Sequence, residues 1–314
     1  MVTGWFTLPY ENAAGILMGT SKLSEVEMST VTSQKPSASA AGTITLGGEL
    51  TVNRLGFGAM RITGEGIWGP PKDHDGAIRV LRRAVELGIN FIDTADSYGP
   101  YVSEELIAEA LHPYPNGLVI ATKGGWERVG PNQWIHNAFP EHLREAVEGS
   151  LKRLKLDRID VYQLHIPDPR VSFEKSVETL VKLKEEGKIR LIALSNVTRE
   201  HIERALKLTP IVSVQNRYNF DDREWDYVVD FCEQKRIAFI PWGPLAQGRS
   251  ATEKLKQIAK AKGATPMQVA LAWLLQQSPM MLPIPGTSSV AHLEEDVAAA
   301  QVKLTDEEFK TLAS

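Results

Sequence analysis

The amino-acid sequence predicts an α/β protein built as a (β/α)8 TIM barrel, with an N-terminal β-hairpin that closes the barrel floor. Two observations carry this prediction. Eight short runs of continuous apolar character alternate with segments of helical period, which is typical of parallel strands that helices bury on both faces. The span from Gly42 to Ser314 also matches the length of about 250 residues that such a barrel needs.

The predicted elements follow one another in a regular order. The segment TITLGGELTVNRLGFG has two alternating runs about a Gly-Gly pair and predicts the hairpin. The first barrel strand is RLGFGAM, and the other seven are INFID, LVIATK, IDVYQLH, KIRLIALSN, IVSVQN, IAFIPW and MMLPIPG. One long helical segment, ATEKLKQIAKAKGATPMQVALAWLLQQ, precedes the last strand, and SVAHLEEDVAAA predicts a helix after it.

Residues 1–41 differ from the rest of the chain. They are rich in Ser, Thr and Ala and show no sustained hydrophobic period, which is typical of a disordered segment. We therefore expect a disordered N-terminal extension over residues 1–41 and a single barrel domain over residues 42–314.

Composition excludes several classes of protein. The chain has 314 residues with a formal net charge of −4, and no Lys/Arg-rich run predicts a nucleic-acid or membrane surface. Cys232 is the only cysteine, so an internal disulfide and a cysteine-based zinc site are excluded. No apolar run reaches the roughly 18 residues of a membrane span. We expect a cytoplasmic protein with no metal, as a monomer or small homo-oligomer.

A doubly wound open sheet is the alternative fold. The run GFGAMR begins like a dinucleotide-binding fingerprint. Arg61 stands where the third glycine of that motif belongs, and no helix follows at once. These departures favour the barrel.

Ionisable side chains stand at the ends of neighbouring predicted strands. Asp93 ends the second strand and Tyr98 follows five residues later, Lys123 ends the third strand, and His165 ends the fourth. The carboxyl ends of barrel strands meet at one mouth, so we expect these groups to converge. Asp93 would keep Lys123 charged, and Lys123 would bring the pKa of the Tyr98 phenol nearer to working pH. His165 could then orient a carbonyl oxygen or relay a proton.

Each of these side chains also has a structural interpretation when taken alone. Asp93 suits a turn cap and Tyr98 a rim aromatic. Lys123 suits a side chain whose stem lies along the surface, and His165 suits a hydrogen-bonded core histidine. Their conjunction at one mouth favours the catalytic interpretation.

Six motifs occur in order at the predicted strand ends, namely FIDTADSYG, ATKGG, QLHIPD, LSN, VQNRYN and IPGTSSVAHLEED. Together they resemble the aldo-keto reductase superfamily over about Gly42 to Ser314, and the chain is most similar in pattern to the bacterial-type members that include pyridoxal reductases. The resemblance implies a catalytic tetrad of Asp93, Tyr98, Lys123 and His165. It also implies that NADPH delivers hydride to an aldehyde or ketone carbon and that Tyr98 protonates the alkoxide.

The resemblance implies cofactor contacts as well. Ser195, Asn196 and Gln215 would bind the nicotinamide carboxamide, and Trp242 would stack on the ring. The segment GTSSVAHLEED opens a helix whose free N–H groups and dipole favour an anion. The other implied cofactor residues are Gly243, Leu245, Gly286, Thr287, Ser288, His292, Glu295 and Asp296.

Three positions depart from the family pattern. Many members have lysine at the position of Gly286 and arginine at that of His292, the two cations that bind the 2′-phosphate of NADPH. Asp296 replaces the more frequent asparagine at the adenine. We expect NADPH as the cofactor, with NADH as the alternative.

The sequence gives a coarser prediction for the substrate. Trp68, Trp126 and Trp134 fall in the predicted loops after strands one and three and could form an aromatic wall, or fold onto their own loops. We expect a small-molecule carbonyl substrate, with pyridoxal implied by resemblance alone.

Two further functions fit the same sequence. A nicotinamide-binding regulatory subunit of this fold would bind cofactor with little turnover. A Schiff-base aldolase would use Lys123 as its nucleophile, although an adjacent Asp93 that keeps the lysine charged argues against this function.

Overall fold

The computed structural model describes residues 35–245 and 252–313. These residues form an α/β fold with a seven-stranded parallel sheet and two separate two-stranded antiparallel pairs. The strands are β1 (Thr43–Leu46), β2 (Leu50–Asn53), β3 (Phe57–Gly58), β4 (Phe91–Asp93), β5 (Val119–Gly124), β6 (Trp126–Gly130), β7 (Gln133–His136), β8 (Ile159–Leu164), β9 (Ile189–Ser195), β10 (Ser213–Arg217) and β11 (Ala238–Trp242).

Helices follow the parallel strands along the chain. They are α1 (His74–Glu86), α2 (Val102–Leu111), α3 (Pro140–Leu154), α4 (Phe173–Glu185), α5 (Arg199–Leu206), α6 (Asp226–Lys235), α7 (Glu253–Lys262), α8 (Pro266–Gln277), α9 (Val290–Ala298) and α10 (Asp306–Ala313). None of the helices in the described ranges is long and apolar enough to cross a membrane.

The parallel sheet runs in the order β3-β4-β5-β8-β9-β10-β11. Its strands are buried on both faces, which requires near-continuous apolar sequence. On one face the side chains pack against the helices. On the other they form a separate cluster that includes Phe91, Val161 and Ile240. The predicted alternation of strand and helix is therefore confirmed.

Residues 280–285 bond to both edges of this sheet. Phe239 of β11 donates its N–H to the carbonyl of Met280 (2.9 Å), and Leu282 donates to the carbonyl of Phe239 (2.9 Å). At the other edge the N–H of Gly56 donates to the Pro283 carbonyl at 2.9 Å, and that of Gly58 to the Pro285 carbonyl at 3.2 Å. The sheet therefore curls until its two edge strands approach the same segment.

Strands β1 and β2 pair in antiparallel fashion, with Ile44 opposite Val52. The turn between them contains Gly47 and Gly48, at φ values of +58° and +73°, a region that glycine enters without steric cost. The buried side chains of this pair belong to the inner cluster of the sheet. They therefore pack against the inward-facing side chains of the parallel strands.

The single long helix predicted over residues 251–277 is wrong. The structure has two helices, α7 and α8, because Gly263 ends the first with φ +62°. Thr265 caps the second through a capping box, and Pro266 occupies its first turn. A left-handed glycine and an N-terminal proline are the usual signals of such a break.

The predicted loop after the third barrel strand contains a β-hairpin. Strands β6 and β7 pair in antiparallel fashion, with Trp126 opposite His136 and Arg128 opposite Trp134. Two of the three predicted pocket tryptophans, Trp126 and Trp134, therefore lie on this hairpin.

The folded unit begins earlier than the predicted boundary at Gly42. Residues Ala38–Ala41 form a 3-10 helix capped by Ser37. Ala38 is fully buried and donates its N–H to the carbonyl of Leu87 (2.8 Å). Residues 38–41 therefore pack on the helix layer, and the compact unit starts at Pro36. The rest of the predicted extension, residues 1–34, lies outside the described residues.

This packing predicts a measurable difference between two truncated chains. A chain that starts at residue 42 loses the burial of Ala38 and its hydrogen bond to Leu87, whereas one that starts at residue 36 keeps both. We expect the shorter chain to have a free energy of unfolding lower by about 1–2 kcal/mol. Urea unfolding of both chains measures this difference, and equal midpoints would contradict it.

Candidate active site

The site lies at the carboxyl ends of the parallel strands. Asp93 ends β4, Lys123 is the fifth residue of β5, and Ser195 ends β9. Parallel register places Lys123 beside Gln163 of β8, and Gln215 of β10 beside Ser195. Regular pairing therefore brings side chains from distant parts of the sequence to one edge of the sheet.

Lys123 links Asp93 and Tyr98. Its Nζ donates to Asp93 Oδ1 at 2.6 Å, to the carbonyl of Thr94 at 2.9 Å, and to the Tyr98 hydroxyl at 3.2 Å. The side chains of Lys123 and Asp93 are 0% and 2% exposed. We call these three residues the Asp93–Lys123–Tyr98 cluster. The predicted convergence of carboxylate, ammonium and phenol is thus present in the structure.

The second oxygen of Asp93 is also occupied. Its Oδ2 accepts from Gln163 Nε2 at 2.7 Å and from Gln215 Nε2 at 2.9 Å. Sequence reasoning missed Gln163, because it lies inside a strand run that reads as buried and apolar. A buried carboxylate needs several donors, and these two amides supply them.

The charges of the cluster follow from burial and from pairing. Burial lowers the pKa of Lys123, but Asp93 and Tyr98 outweigh that effect and the net pKa is raised. Burial raises the pKa of Tyr98, and Asp93 adds to the rise, whereas Lys123 lowers it. The predicted lowering of the Tyr98 pKa by Lys123 is therefore present, but the net pKa of Tyr98 is raised rather than brought nearer to working pH. Desolvation of the phenolate outweighs the attraction of the ammonium.

His165 faces the same cluster. Its ring centroid lies 5.8 Å from that of Tyr98, at an interplanar angle of 81°, and its Nδ1 lies 3.5 Å from the Ser97 hydroxyl. Burial, and then the charge of Lys123, lowers the pKa of this imidazole well below its usual value. His165 is therefore neutral at physiological pH.

Asn196 and Trp242 are joined at the neighbouring strand ends. The indole Nε1 of Trp242 donates to Asn196 Oδ1 (3.0 Å), while Asn196 Nδ2 donates to the His165 carbonyl (3.0 Å) and to the Ser195 hydroxyl (3.2 Å). Asn196 has φ +55°, a left-handed conformation that asparagine tolerates better than most residues. These bonds fix the indole relative to the histidine backbone.

These groups surround a cavity of about 500 Å³. Most of the residues predicted for catalysis, cofactor and pocket line it, and Lys123 lies buried beneath. The lining also includes residues that sequence reasoning missed, among them Met60, Ile67, Ile166 and Pro244. The predicted residues in the lining are Asp93, Tyr98, Trp126, Trp134, His165, Ser195, Asn196, Gln215, Trp242, Gly243, Leu245 and Gly286.

The predicted phosphate segment continues from the cavity edge at Gly286. A Cβ atom added at Gly286 would lie 2.4 Å from the Gly58 carbonyl oxygen. Any residue with a side chain would therefore require the backbone to move at this position. Thr287 Oγ1 accepts from the N–H of Ser289, whose own hydroxyl caps α9. Five predicted residues of this segment lie outside the cavity lining: Ser288 and His292 are exposed, Thr287 and Glu295 are half-buried, and Asp296 is buried.

Trp68 does not line the cavity but lies near Arg128. The Arg128 guanidinium lies 3.7 Å from the ring centroid of Trp134 and 5.7 Å from that of Trp68. Trp126 and Trp134 pack edge to face, with their ring centroids 5.8 Å apart. Two of the three predicted tryptophans therefore line the pocket. No pattern in the sequence indicated a role for Arg128, because its hydrogen-bond partners are backbone carbonyls.

Among residues 35–245 and 252–313, no three His, Cys, Asp or Glu side chains come together in a way that could hold a metal ion.

The sheet and the buried cluster at its carboxyl edge define the class of this protein: it is an α/β protein with ionisable groups gathered at the strand ends. Within that class, the chain belongs to the Aldo/keto reductase family, whose model matches residues 54–314. The protein is therefore an oxidoreductase, and the predicted family is confirmed.

Two relatives span nearly the whole chain. An uncharacterised oxidoreductase of Schizosaccharomyces pombe is 50% identical over 285 residues, which cover 90% of this chain and 92% of the relative. Pyridoxine 4-dehydrogenase of Escherichia coli is 44% identical over 280 residues, which cover 87% of this chain and 98% of the relative.

Two solved structures share the fold. A glycerol dehydrogenase from Gluconobacter oxydans has a TM-score of 0.80 at 28% identity, covering 87% of this chain and 94% of its own. An aldo/keto reductase from Klebsiella pneumoniae in complex with NADP and acetate has a TM-score of 0.74 at 28% identity, covering 86% and 93%.

Asp296 gives a pH-dependent prediction. Burial, and then the neighbouring Glu295, raises the pKa of Asp296 to about 7. A raised folded-state pKa means that the stability from the bound proton is complete below the unfolded pKa and is lost as the pH rises through about 7. We expect Asp296→Asn to raise the free energy of unfolding by about 1–3 kcal/mol at pH 8 and to give no gain at pH 4. Urea unfolding at both pH values measures this, and an equal effect at the two would contradict the raised pKa.

Proposed function

We propose that this protein reduces aldehydes or ketones to alcohols, with NADPH as hydride donor and Tyr98 as proton donor. The observation that carries the proposal is the Asp93–Lys123–Tyr98 cluster, in which one buried ammonium bridges a carboxylate and a phenol that both line the cavity. Proton donation in the transition state by a positioned side chain typically contributes about 10²–10⁴-fold to rate.

The proton is supplied by a neutral phenol. Because the pKa of Tyr98 is raised, its hydroxyl keeps its proton at working pH. As an alkoxide develops on the substrate, the hydroxyl donates to it, and the 3.2 Å contact from Lys123 stabilises the phenolate that remains. Neutral His165, edge-on to the phenol ring, orients the carbonyl oxygen by donating an N–H.

The cavity residues suit a nicotinamide dinucleotide. Trp242 offers a flat wall that Asn196 fixes, next to Ser195 and Gln215, which we assign to the carboxamide. Gly243 and Leu245 continue this wall. When bound, NADPH supplies the hydride.

The segment that follows Gly286 suits the phosphates. Gly286 has no side chain and leads into the N-terminus of α9, where backbone N–H groups favour an anion. We assign Thr287, Ser288 and His292 to the phosphates, and Glu295 and Asp296 to the adenosine. The Klebsiella pneumoniae structure with NADP supports NADPH, while the neutral Gly286 keeps NADH as the alternative.

Pyridoxal is the substrate we assign to this pocket. Its aromatic ring suits a wall formed by Trp126 and Trp134, and the relative named pyridoxine 4-dehydrogenase supports this choice. A Schiff-base role for Lys123 is disfavoured, because its ammonium is charged and bonded to three acceptors.

The proposal includes the closed architecture. We infer that residues 280–285 act as the eighth barrel strand, since they bond to both β11 and β3. We also infer that the β1–β2 pair closes the barrel floor, since its side chains join the inner cluster. The barrel domain would then extend from about Pro36 to the end of the chain.

The proposal is tested by titration of the wild-type protein with NADPH and NADH, followed by addition of pyridoxal or 4-nitrobenzaldehyde. We expect NADPH to bind in the micromolar range and its absorbance to fall when aldehyde is added. Binding without consumption would favour the regulatory subunit instead. No binding of either cofactor would contradict the assigned phosphate residues.

A substitution isolates the proton donor. Tyr98→Phe removes the hydroxyl and keeps the ring, so we expect kcat to fall by about 10²–10⁴-fold while the dissociation constant of NADPH stays within about twofold of wild type. Steady-state kinetics and fluorescence titration measure the two quantities. Tyr114→Phe is a matched control, because its hydroxyl donates to the carbonyl of Leu154 away from the cavity. Full activity of the Tyr98 variant would reject the assignment.

A further inference from the structure

Arg128 connects three loops around the pocket. A guanidinium has five N–H donors in a fixed planar fork, and the guanidinium of Arg128 makes five hydrogen bonds, all to backbone carbonyls. The acceptors are the carbonyl oxygens of Gln133 (3.1 Å from Nε), Ile67 and Ser97 (both 2.8 Å from Nη1), and Gly66 and Gly130 (3.0 and 3.3 Å from Nη2).

These bonds join the β6–β7 hairpin to two other segments. Gly66 and Ile67 belong to the loop after β3, and Ser97 directly precedes Tyr98. A second contact joins the same parts, because the N–H of Asn132 at the hairpin turn donates to the Gly66 carbonyl at 3.0 Å. Arg128 therefore fixes the hairpin against both the pocket loop and the turn that carries the phenol.

The function of Arg128 is geometric. Burial lowers its pKa, and no charged group counters that shift, which fits the absence of a salt bridge to it within the described ranges. Its guanidinium packs instead on the Trp134 ring, at 3.7 Å from the centroid. Because all five hydrogen bonds of the Arg128 guanidinium go to backbone carbonyls and its planar face packs on the Trp134 indole, Arg128 determines where those carbonyls and that indole lie.

Ile67 needs this support. It lines the cavity and has φ +56°, a conformation that is a genuine outlier for a β-branched residue. Such strain persists only where the surroundings over-determine it. The Ile67 carbonyl accepts from Arg128 and also from the N–H of Gly99 at 3.3 Å. These two bonds hold the strained residue in the pocket wall.

We propose that Arg128 is a positioning residue that sets the outer wall of the pocket, formed by Ile67, Trp126 and Trp134, and thereby selects aromatic over small aliphatic carbonyl substrates. This inference rests on the proposed reductase function. The wall faces the reacting groups, since the centroid of Trp126 lies 6.3 Å from that of His165. A bulky substrate depends on the wall for its orientation, whereas a small one depends only on the strand-end groups.

Lysine cannot replace Arg128. Lysine keeps the positive charge but has three donors on a flexible stem and no planar face. If charge alone mattered, Arg128→Lys would behave as wild type. If the planar fork matters, Arg128→Lys and Arg128→Met behave alike.

The kinetic test compares full-length wild type, Arg128→Lys and Arg128→Met on 4-nitrobenzaldehyde and propanal with NADPH. We expect the ratio of kcat/KM for the aromatic to that for the small aldehyde to fall about tenfold in both variants, chiefly through KM of the aromatic substrate. Arg82→Met is the matched control, because Arg82 also donates to a carbonyl, that of Ala110, but lies away from the pocket. An unchanged ratio, even with lower overall activity, would overturn the proposal.

A second measurement is independent of turnover. Hydrogen exchange at the amides of Gly69 and Asn132, which donate across these loops, should be faster by about tenfold or more in both Arg128 variants and unchanged in β5. Unchanged exchange would reject the positioning function. If wild type reduced neither aldehyde, the proposed function and the selectivity would fall together, while the exchange data would still decide whether Arg128 fixes the loops.

Discussion

The buried ion pair of Lys123 and Asp93 is the constraint on which the rest of the site depends. Removal of two charges from water costs several kcal/mol per ion, and the cost is offset only when the remaining donors and acceptors are satisfied. In this site the Thr94 carbonyl accepts from Lys123, and the amides of Gln163 and Gln215 donate to Asp93. Because Thr94 directly follows β4 and the two glutamines come from β8 and β10, the pair requires the sheet to be correctly assembled before either charge can be buried.

This dependence determines the chemistry available to Tyr98. The phenol shares the buried environment of the pair, so burial raises its pKa more than the adjacent ammonium lowers it. A neutral phenol next to a fixed cation is a proton donor whose conjugate base is already stabilised by a preorganised charge. Neutral His165 adds a hydrogen-bonding group to the site. A protonated His165 would instead place a second positive charge near Lys123, and the two charges would repel each other. Burial and pairing thus separate the protonation states of three adjacent groups.

The sequence predicted the strand ends well because a parallel sheet aligns them. Asp93, Lys123 and His165 each follow an apolar run, and the pattern needs no knowledge of distant contacts. Gln163 was not predicted, because a single amide inside a buried strand does not by itself indicate a functional site. Arg128 was not predicted for a different reason. Its hydrogen-bond acceptors are backbone carbonyls, which every residue has, so no partner residue stands out in the sequence. The break at Gly263 was readable, since glycine followed by Thr265 and Pro266 marks a helix end and a new start, but the continuous helical period obscured it.

Two parts of the pocket thus differ in physical origin. Asp93 and Lys123 stand on strands, where register fixes them together with the hydrophobic core, and Tyr98 is bonded to Lys123. In the outer wall, Ile67 lies in a loop, while Trp126 and Trp134 lie on the separate β6–β7 hairpin. The register of the parallel sheet does not fix either segment, so their positions relative to the strand ends require side-chain bonds such as those of Arg128. The strained backbone of Ile67 lies in the second part, where a local bond can be lost without loss of the sheet. Changes in the loops can therefore alter the shape of the pocket while the buried ion pair, and with it the Tyr98 phenol, stays in place.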